Sequence, residues 1–95
     1  MTTAIFTHPD FLAHDTGPGH PERPERIAVV WEVLDRDEFR DLPRFEAPEA
    51  EVEQLGWVHD PAYVDAVLNA VPDSGHVRLD ADTVLSPTSR SAILR

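Results

Sequence analysis

The sequence predicts an α/β chain with one or two short strands and about three to four helices. A run of β-branched and aromatic residues close to the start is typical of a strand. Two later stretches place their apolar residues on one face of a helix. Both stretches also carry a proline in the first helical turn, where a proline is tolerated.

The first half of the chain is predicted to run from a strand through a long loop into a helix. The strand is expected over Thr3–His8, and Pro9 ends it before a loop rich in glycine and proline. A helix is expected over about residues 23–37, because apolar residues there recur at i, i+3, i+4 and i+7. These residues are Ile27, Val30, Trp31 and Leu34. A few extended residues follow around Phe45.

The middle of the chain is predicted to hold two further helices. A short acidic helix over Glu49–Leu55 should stop at Gly56. A longer helix should then begin with Asp60 as its cap and Pro61 in its first turn, and continue to about Ala70. Its apolar stripe consists of Tyr63, Val64, Val67 and Leu68.

The last part of the sequence predicts a turn, an irregular stretch and the start of another helix. Pro72–Gly75 has the composition of a turn, and His76–Leu85 is irregular or a short strand. Ser86 is expected to cap a helix that Pro87 opens. Because Arg95 follows barely two turns later without a C-cap glycine, we expect the chain to be cut within this helix.

The amino-acid composition excludes several classes of function. The chain of 95 residues is long enough for at most one domain. With 8 Lys+Arg against 18 Asp+Glu it lacks the basic face that nucleic acid requires, and the absence of cysteine excludes disulfides and thiolate sites. No apolar run is long enough to cross a membrane, and the N-terminus lacks the pattern of an export signal. We therefore expect a cytoplasmic protein that binds neither nucleic acid nor membrane.

A metal site is one hypothesis for the histidines and aspartates near the N-terminus. The candidates are His8, Asp10, His14, Asp15 and His20. Imidazole and carboxylate are common ligands of zinc, iron and manganese. Precise metal sites, however, are normally built on rigid elements, whereas these residues follow a glycine- and proline-rich loop. Loop hydrogen bonding and capping are therefore the favoured interpretation, and no metal site is predicted in this chain.

A second hypothesis concerns the two carboxylates of Leu79–Leu85. The pattern Asp80-x-Asp82 resembles the nucleophile loop of aspartate-based phosphatases. The preceding apolar strand is weak, and that chemistry needs a downstream lysine, which the chain lacks. The phosphatase is therefore only a minor alternative.

Three segments together resemble the N-terminal part of the histone deacetylase family. They are "HDTGPGHPERPERI" (His14–Ile27), "WVHDPAYVDAV" (Trp57–Val67) and "LDADTVLSPTSRSAILR" (Leu79–Arg95). Their order and spacing are most similar to the bacterial histone-deacetylase-like, acetylpolyamine amidohydrolase and acetoin-utilisation branch. The resemblance covers nearly the whole chain, so residues 1–95 are interpreted as an N-terminal segment of such a domain.

This resemblance implies a fold and an activity. The expected fold is the arginase-like three-layer α/β fold, with a parallel sheet. The expected activity of the full-length protein is zinc-dependent hydrolysis of acetyl-amides, with an acetylated lysine or polyamine as substrate. None of the family's zinc ligands or catalytic residues matches a position here. We therefore expect this chain alone to bind no zinc and to be inactive, and to need the remainder of the domain.

The resemblance also implies four site residues. His20 and Pro21 are expected in the wall of the substrate tunnel, and Asp82 at its rim, where it would accept hydrogen bonds from the substrate. Arg26 matches an arginine behind the active site, beside the channel that releases acetate. Two simpler roles remain open: Arg26 could pair with Glu22 one turn away, and Asp82 could brace its own loop. A non-catalytic binding or structural fragment is the remaining alternative function.

Overall fold

The computed structural model describes residues 2–95 and contains short strands, four α-helices and two 3₁₀ helices. The strands are β1 (Ile5–Thr7), β2 (Arg44–Glu46), β3 (Val77–Arg78) and β4 (Val84–Leu85). The α-helices are α1 (Pro24–Leu34), α2 (Val52–Leu55), α3 (Pro61–Ala70) and α4 (Ser89–Leu94). The 3₁₀ helices are Pro9–Ala13 and Asp37–Phe39.

β1 and β2 form a parallel pair connected through α1. Phe6 lies opposite Phe45, and their rings stack with centroids 5.2 Å apart on an exposed face of the pair. The Trp31 indole N–H donates a hydrogen bond of 2.8 Å to the Thr7 hydroxyl, which attaches α1 to β1. Because parallel sheets are normally covered on both faces, the exposed Phe6–Phe45 face is unusual for such a sheet.

β3 and β4 form a small antiparallel hairpin, with Val77 opposite Leu85. Val84 and Leu85 are buried, whereas the intervening residues 79–83 are exposed. The Leu79 N–H donates to the Thr83 carbonyl at 2.9 Å and closes this turn. The hairpin therefore anchors one strand in the interior and presents its turn to solvent.

The largest apolar cluster lies between α3 and α4. Val64 and Leu68 pack with Leu94, and the partly buried Leu55 of α2 contacts the same cluster. The Cα radius of gyration is 15.3 Å, compared with about 12 Å for a compact domain of this length. Much of the apolar surface thus lies outside this cluster. No helix within residues 2–95 is long and apolar enough to span a bilayer.

Several predicted elements agree with the structure. The chain is α/β and contains a parallel strand pair, although the pair alone does not establish an arginase-like fold. The predicted helix after Asp60 is confirmed over Pro61–Ala70, and the Asp60 carboxylate accepts the Ala62 N–H at 2.8 Å. Pro24 and Pro61 occupy first helical turns as predicted, in α1 and α3, whereas Pro87 does not, because α4 begins only at Ser89.

Other predicted boundaries and counts were wrong. One or two strands were expected, but residues 2–95 contain four, because strands of only two or three residues leave little periodicity in the sequence. α1 ends at Leu34 rather than near residue 37, since the next positions on its apolar stripe are acidic. α2 begins at Val52 rather than Glu49, because Glu51 and Gln54 form a capping box.

The predicted start of the last helix was also wrong. α4 begins at Ser89, and Thr88 rather than Ser86 occupies the N-cap position. The side chain of Ser86 does not cap the helix. Instead, the Ser86 N–H donates to the Ser89 hydroxyl at 2.9 Å.

Candidate functional site

The loop that precedes α1, residues 14–23 and here called the Gly/Pro loop, is shaped by two glycines. Gly17 and Gly19 have φ angles of 92° and 78°, in the left-handed region that side chains rarely adopt. The Asp15 carboxylate accepts the Gly17 N–H at 2.9 Å. This backbone hydrogen bond lowers the pKa of Asp15, and the nearby His76 acts in the same direction. The loop therefore has a defined backbone path.

His20 connects the Gly/Pro loop to the β3–β4 hairpin. Its Nδ1 accepts the Glu22 N–H at 3.0 Å, and its Nε2 lies 3.0 Å from the carbonyl oxygen of Asp82, 62 residues away in sequence. A carbonyl can only accept, so Nε2 carries the proton and donates. The bond from Glu22 independently requires an unprotonated Nδ1. Both contacts therefore select the neutral ring with its proton on Nε2.

The two aspartates of the hairpin turn have different environments. The Asp80 carboxylate accepts the Asp82 N–H at 2.8 Å. This bond, with further hydrogen bonds from Thr83, lowers the pKa of Asp80. No hydrogen bond or ion pair reaches the carboxylate of Asp82 from elsewhere in residues 2–95, and Asp82 is exposed. Asp80 thus braces the turn, while the carboxylate of Asp82 is exposed to solvent.

Further contacts fix the same loop. Nε2 of His76 lies 3.4 Å from the Asp15 carboxylate. Because both side chains are about half exposed, this pair contributes little to stability. The 3₁₀ segment before the loop is held more firmly at its end. The Thr88 hydroxyl donates to the Ala13 carbonyl at 2.5 Å, and Nδ1 of His14 shares a hydrogen bond of 2.9 Å with the buried Ser89 hydroxyl.

Sequence reasoning did not single out the contacts of His76 and Ser89. Ser89 belongs to the serine- and threonine-rich run before α4, whose composition suggested only capping. His76 follows the turn at Gly75 and carried no local pattern. His14, which bonds Ser89, and Asp15, which pairs with His76, are both more than 60 positions away along the chain.

The remaining predicted site residues make few contacts. Pro21 is exposed beside His20. The Arg26 guanidinium pairs with the Glu22 carboxylate at 2.5 Å, and the two side chains are 62% and 52% exposed. The simpler role considered for Arg26 is therefore present as a contact in this chain. Its expected place beside an acetate channel stays a prediction, as do the substrate contacts of His20, Pro21 and Asp82.

The expectation that this chain alone binds no zinc stays a prediction. Within the part that the structure describes, residues 2–95, no three His, Asp or Glu side chains cluster so as to hold a metal ion. The candidates near the N-terminus make hydrogen bonds instead: His8 accepts the Asp10 N–H at 3.0 Å, and His14 and His20 bond as described above. The phosphatase alternative gains no support either, because the Asp80 carboxylate already accepts hydrogen bonds from Asp82 and Thr83.

Comparison with known proteins assigns the chain to a family. Residues 20–95 match the family described as "Histone deacetylase domain". A protein of Archaeoglobus fulgidus named "Probable deacetylase" is 34% identical across 67% of this chain and 19% of its own length. A protein of Synechocystis sp. named "Uncharacterized protein slr0245" is 31% identical across 90% of this chain and 29% of its own length. The chain thus spans less than a third of these relatives, and it belongs to the histone deacetylase family.

Proposed function

We propose that this chain is the N-terminal, substrate-contacting portion of a zinc-dependent deacetylase that hydrolyses acetyl-amides of the acetyl-lysine or acetylpolyamine type. Membership of the histone deacetylase family and the similarity to the relative named "Probable deacetylase" support this reaction class. The activity belongs to the whole protein, of which this segment forms one wall of the substrate site.

The observation that carries the proposal is the hydrogen bond between the His20 ring and the Asp82 carbonyl. It joins two separate segments, each of which the family resemblance associates with the substrate. The Asp82 carboxylate next to this bond has no partner within residues 2–95 and can accept two N–H groups at once. In an acetyl-lysine peptide these would be backbone amides, and in a polyamine a distal ammonium would take their place.

The overall charge suits a cationic substrate. The formal net charge is −10 at pH 7, and a field of this sign attracts polyamines and lysine-rich peptides. The hairpin turn contributes to it directly, because Asp80 and Asp82 both lie on its exposed side.

The chemical step depends on residues outside this chain. Because residues 2–95 contain no cluster that fits zinc, we place the zinc ligands in the remainder of the domain and expect this chain alone to be inactive. The remainder would cover the exposed Phe6–Phe45 face and other exposed apolar residues, including Val29 and Val30 of α1. The remainder of the domain would also bury Arg26. Once the Arg26 guanidinium is released from the Glu22 carboxylate, it would be able to bind acetate.

The proposal is tested with the zinc-loaded full-length protein. We expect it to release acetate from an acetyl-lysine peptide, from N-acetylputrescine, or from both, and we expect the 95-residue chain to release none. A full-length protein that contains zinc and hydrolyses neither substrate would contradict the proposal. We also expect the protein to be found in the cytoplasm, which cell fractionation would check.

A further inference from the structure

Two His-Pro segments of this chain make the same local hydrogen bond through the imidazole ring. Nδ1 of His8 accepts the Asp10 N–H at 3.0 Å, and Nδ1 of His20 accepts the Glu22 N–H, also at 3.0 Å. In both cases the imidazole accepts the backbone N–H two residues further on. Only the second ring, among the residues that the structure describes, also donates from Nε2 to a distant segment. The His8 ring is thus an internal reference for the His20 ring.

The distant bond of His20 falls on the residue with the available carboxylate. The N–H of Asp82 is bound by the Asp80 carboxylate, and its carbonyl accepts from His20. The backbone on both sides of the Asp82 side chain is therefore fixed. The Asp80 contact is internal to the turn, so it cannot set the position of the turn relative to the Gly/Pro loop. The His20 contact can do so, because it spans both segments.

We propose that His20 is a positioning residue that sets the Asp82 carboxylate for the substrate by binding the Asp82 backbone carbonyl. This inference rests on the proposed deacetylase function, because it concerns the carboxylate that would bind the substrate. His20 acts here through Asp82, which is a role separate from its expected direct contact with the substrate as a wall residue. The neutral imidazole with its proton on Nε2 satisfies both of its hydrogen bonds at once.

Two substitutions of His20 test the hydrogen bonds of its two ring nitrogens separately. In His20→Asn the side-chain oxygen replaces Nδ1 as an acceptor for the turn, but the side chain is too short to reach the Asp82 carbonyl. In His20→Gln the amide nitrogen takes nearly the place of Nε2 and can donate to that carbonyl. His8→Asn is the control, because it makes the same change at a ring that also accepts the N–H two residues on but has no distant bond within residues 2–95.

The kinetic test uses the full-length protein and an acetyl-lysine peptide. We expect His20→Asn to raise KM about fivefold, the equivalent of one net hydrogen bond of about 1 kcal/mol, with kcat nearly unchanged. His20→Gln should restore most of the loss, and His8→Asn should leave KM unchanged. Because His20 acts through Asp82, adding His20→Asn to Asp82→Asn should cause no further increase. An unchanged KM in His20→Asn, or losses that simply add in the double variant, would overturn the inference.

A second measurement distinguishes a failure of this inference from a failure of the proposed function. Amide hydrogen exchange reports the hairpin turn whether or not the protein is a deacetylase. We expect exchange at Leu79 and Asp82 to accelerate about fivefold in His20→Asn but not in His8→Asn. If the wild type hydrolyses no acetyl-amide yet exchange accelerates in this way, the function is wrong and the positioning contact stands. If exchange is unchanged, the positioning contact is wrong.

Discussion

Replacement of Ser89 by alanine tests whether the junction between α4 and the Gly/Pro loop stabilises the fold. Ser89 is fully buried, and its hydroxyl accepts the N–H of the buried Ser86 at 2.9 Å and bonds Nδ1 of His14 at 2.9 Å. Alanine would leave that N–H unpaired, which costs about 1–3 kcal/mol, and would remove the bond to His14, worth about 1 kcal/mol net. We expect Ser89→Ala to lower the free energy of unfolding by about 2–4 kcal/mol.

The assay is urea denaturation of the full-length protein, followed by circular dichroism. Ser91→Ala is the matched control, because its hydroxyl makes only one hydrogen bond, 3.2 Å to the Thr88 carbonyl, in an exposed position. This control should change the free energy of unfolding by no more than about 0.5 kcal/mol. If Ser89→Ala is equally mild, the buried hydroxyl does not stabilise the junction and the reasoning is refuted.

Four further predictions concern the site and the isolated chain. Asp82→Asn in the full-length enzyme should lower kcat/KM for acetyl-lysine peptides at least tenfold, about 1.4 kcal/mol, without changing Tm; an effect on Tm alone would make Asp82 a loop brace. The 95-residue chain should bind no zinc and release no acetate, so one zinc per chain in calorimetry at micromolar concentration would contradict this expectation. The same chain, with only six buried apolar residues in the described part, should not melt cooperatively and reversibly above about 60 °C in a calorimeter. The pKa values of Asp15 and Asp80 are lowered on folding, so their turns are stabilised above the ordinary value of about 3.9 and lose that stabilisation as pH falls through the lower folded values. The amide proton shifts of Gly17 and Asp82 should therefore change below about pH 4, and Asp15→Asn should abolish the change at Gly17 alone.

Local features of the fold could be predicted from the sequence. The strand before Pro9 and the helix that Asp60 caps depend on short-range effects: β propensity, the fixed φ of proline and a carboxylate two residues before an amide. The α/β class follows from these elements, and the three resembling segments indicated the family that the comparison later showed. Each of these signals is contained in a few consecutive residues, so it can be recognised without knowledge of the tertiary structure.

The site depended on contacts between distant parts of the chain. The sequence predicted an irregular stretch or a short strand over His76–Leu85, and it left open whether Asp82 binds the substrate or braces its loop. The structure places both residues in the turn of a hairpin, where the Asp80 carboxylate accepts the Asp82 N–H, and the bond from His20 to the Asp82 carbonyl shows which segment the turn faces. The partners in the bonds of His20 and of Ser89 with His14 are 62 and 75 residues apart. Periodicity and propensity describe only neighbours along the chain, whereas a hydrogen bond requires two groups within about 3 Å in space, which only the folded backbone provides.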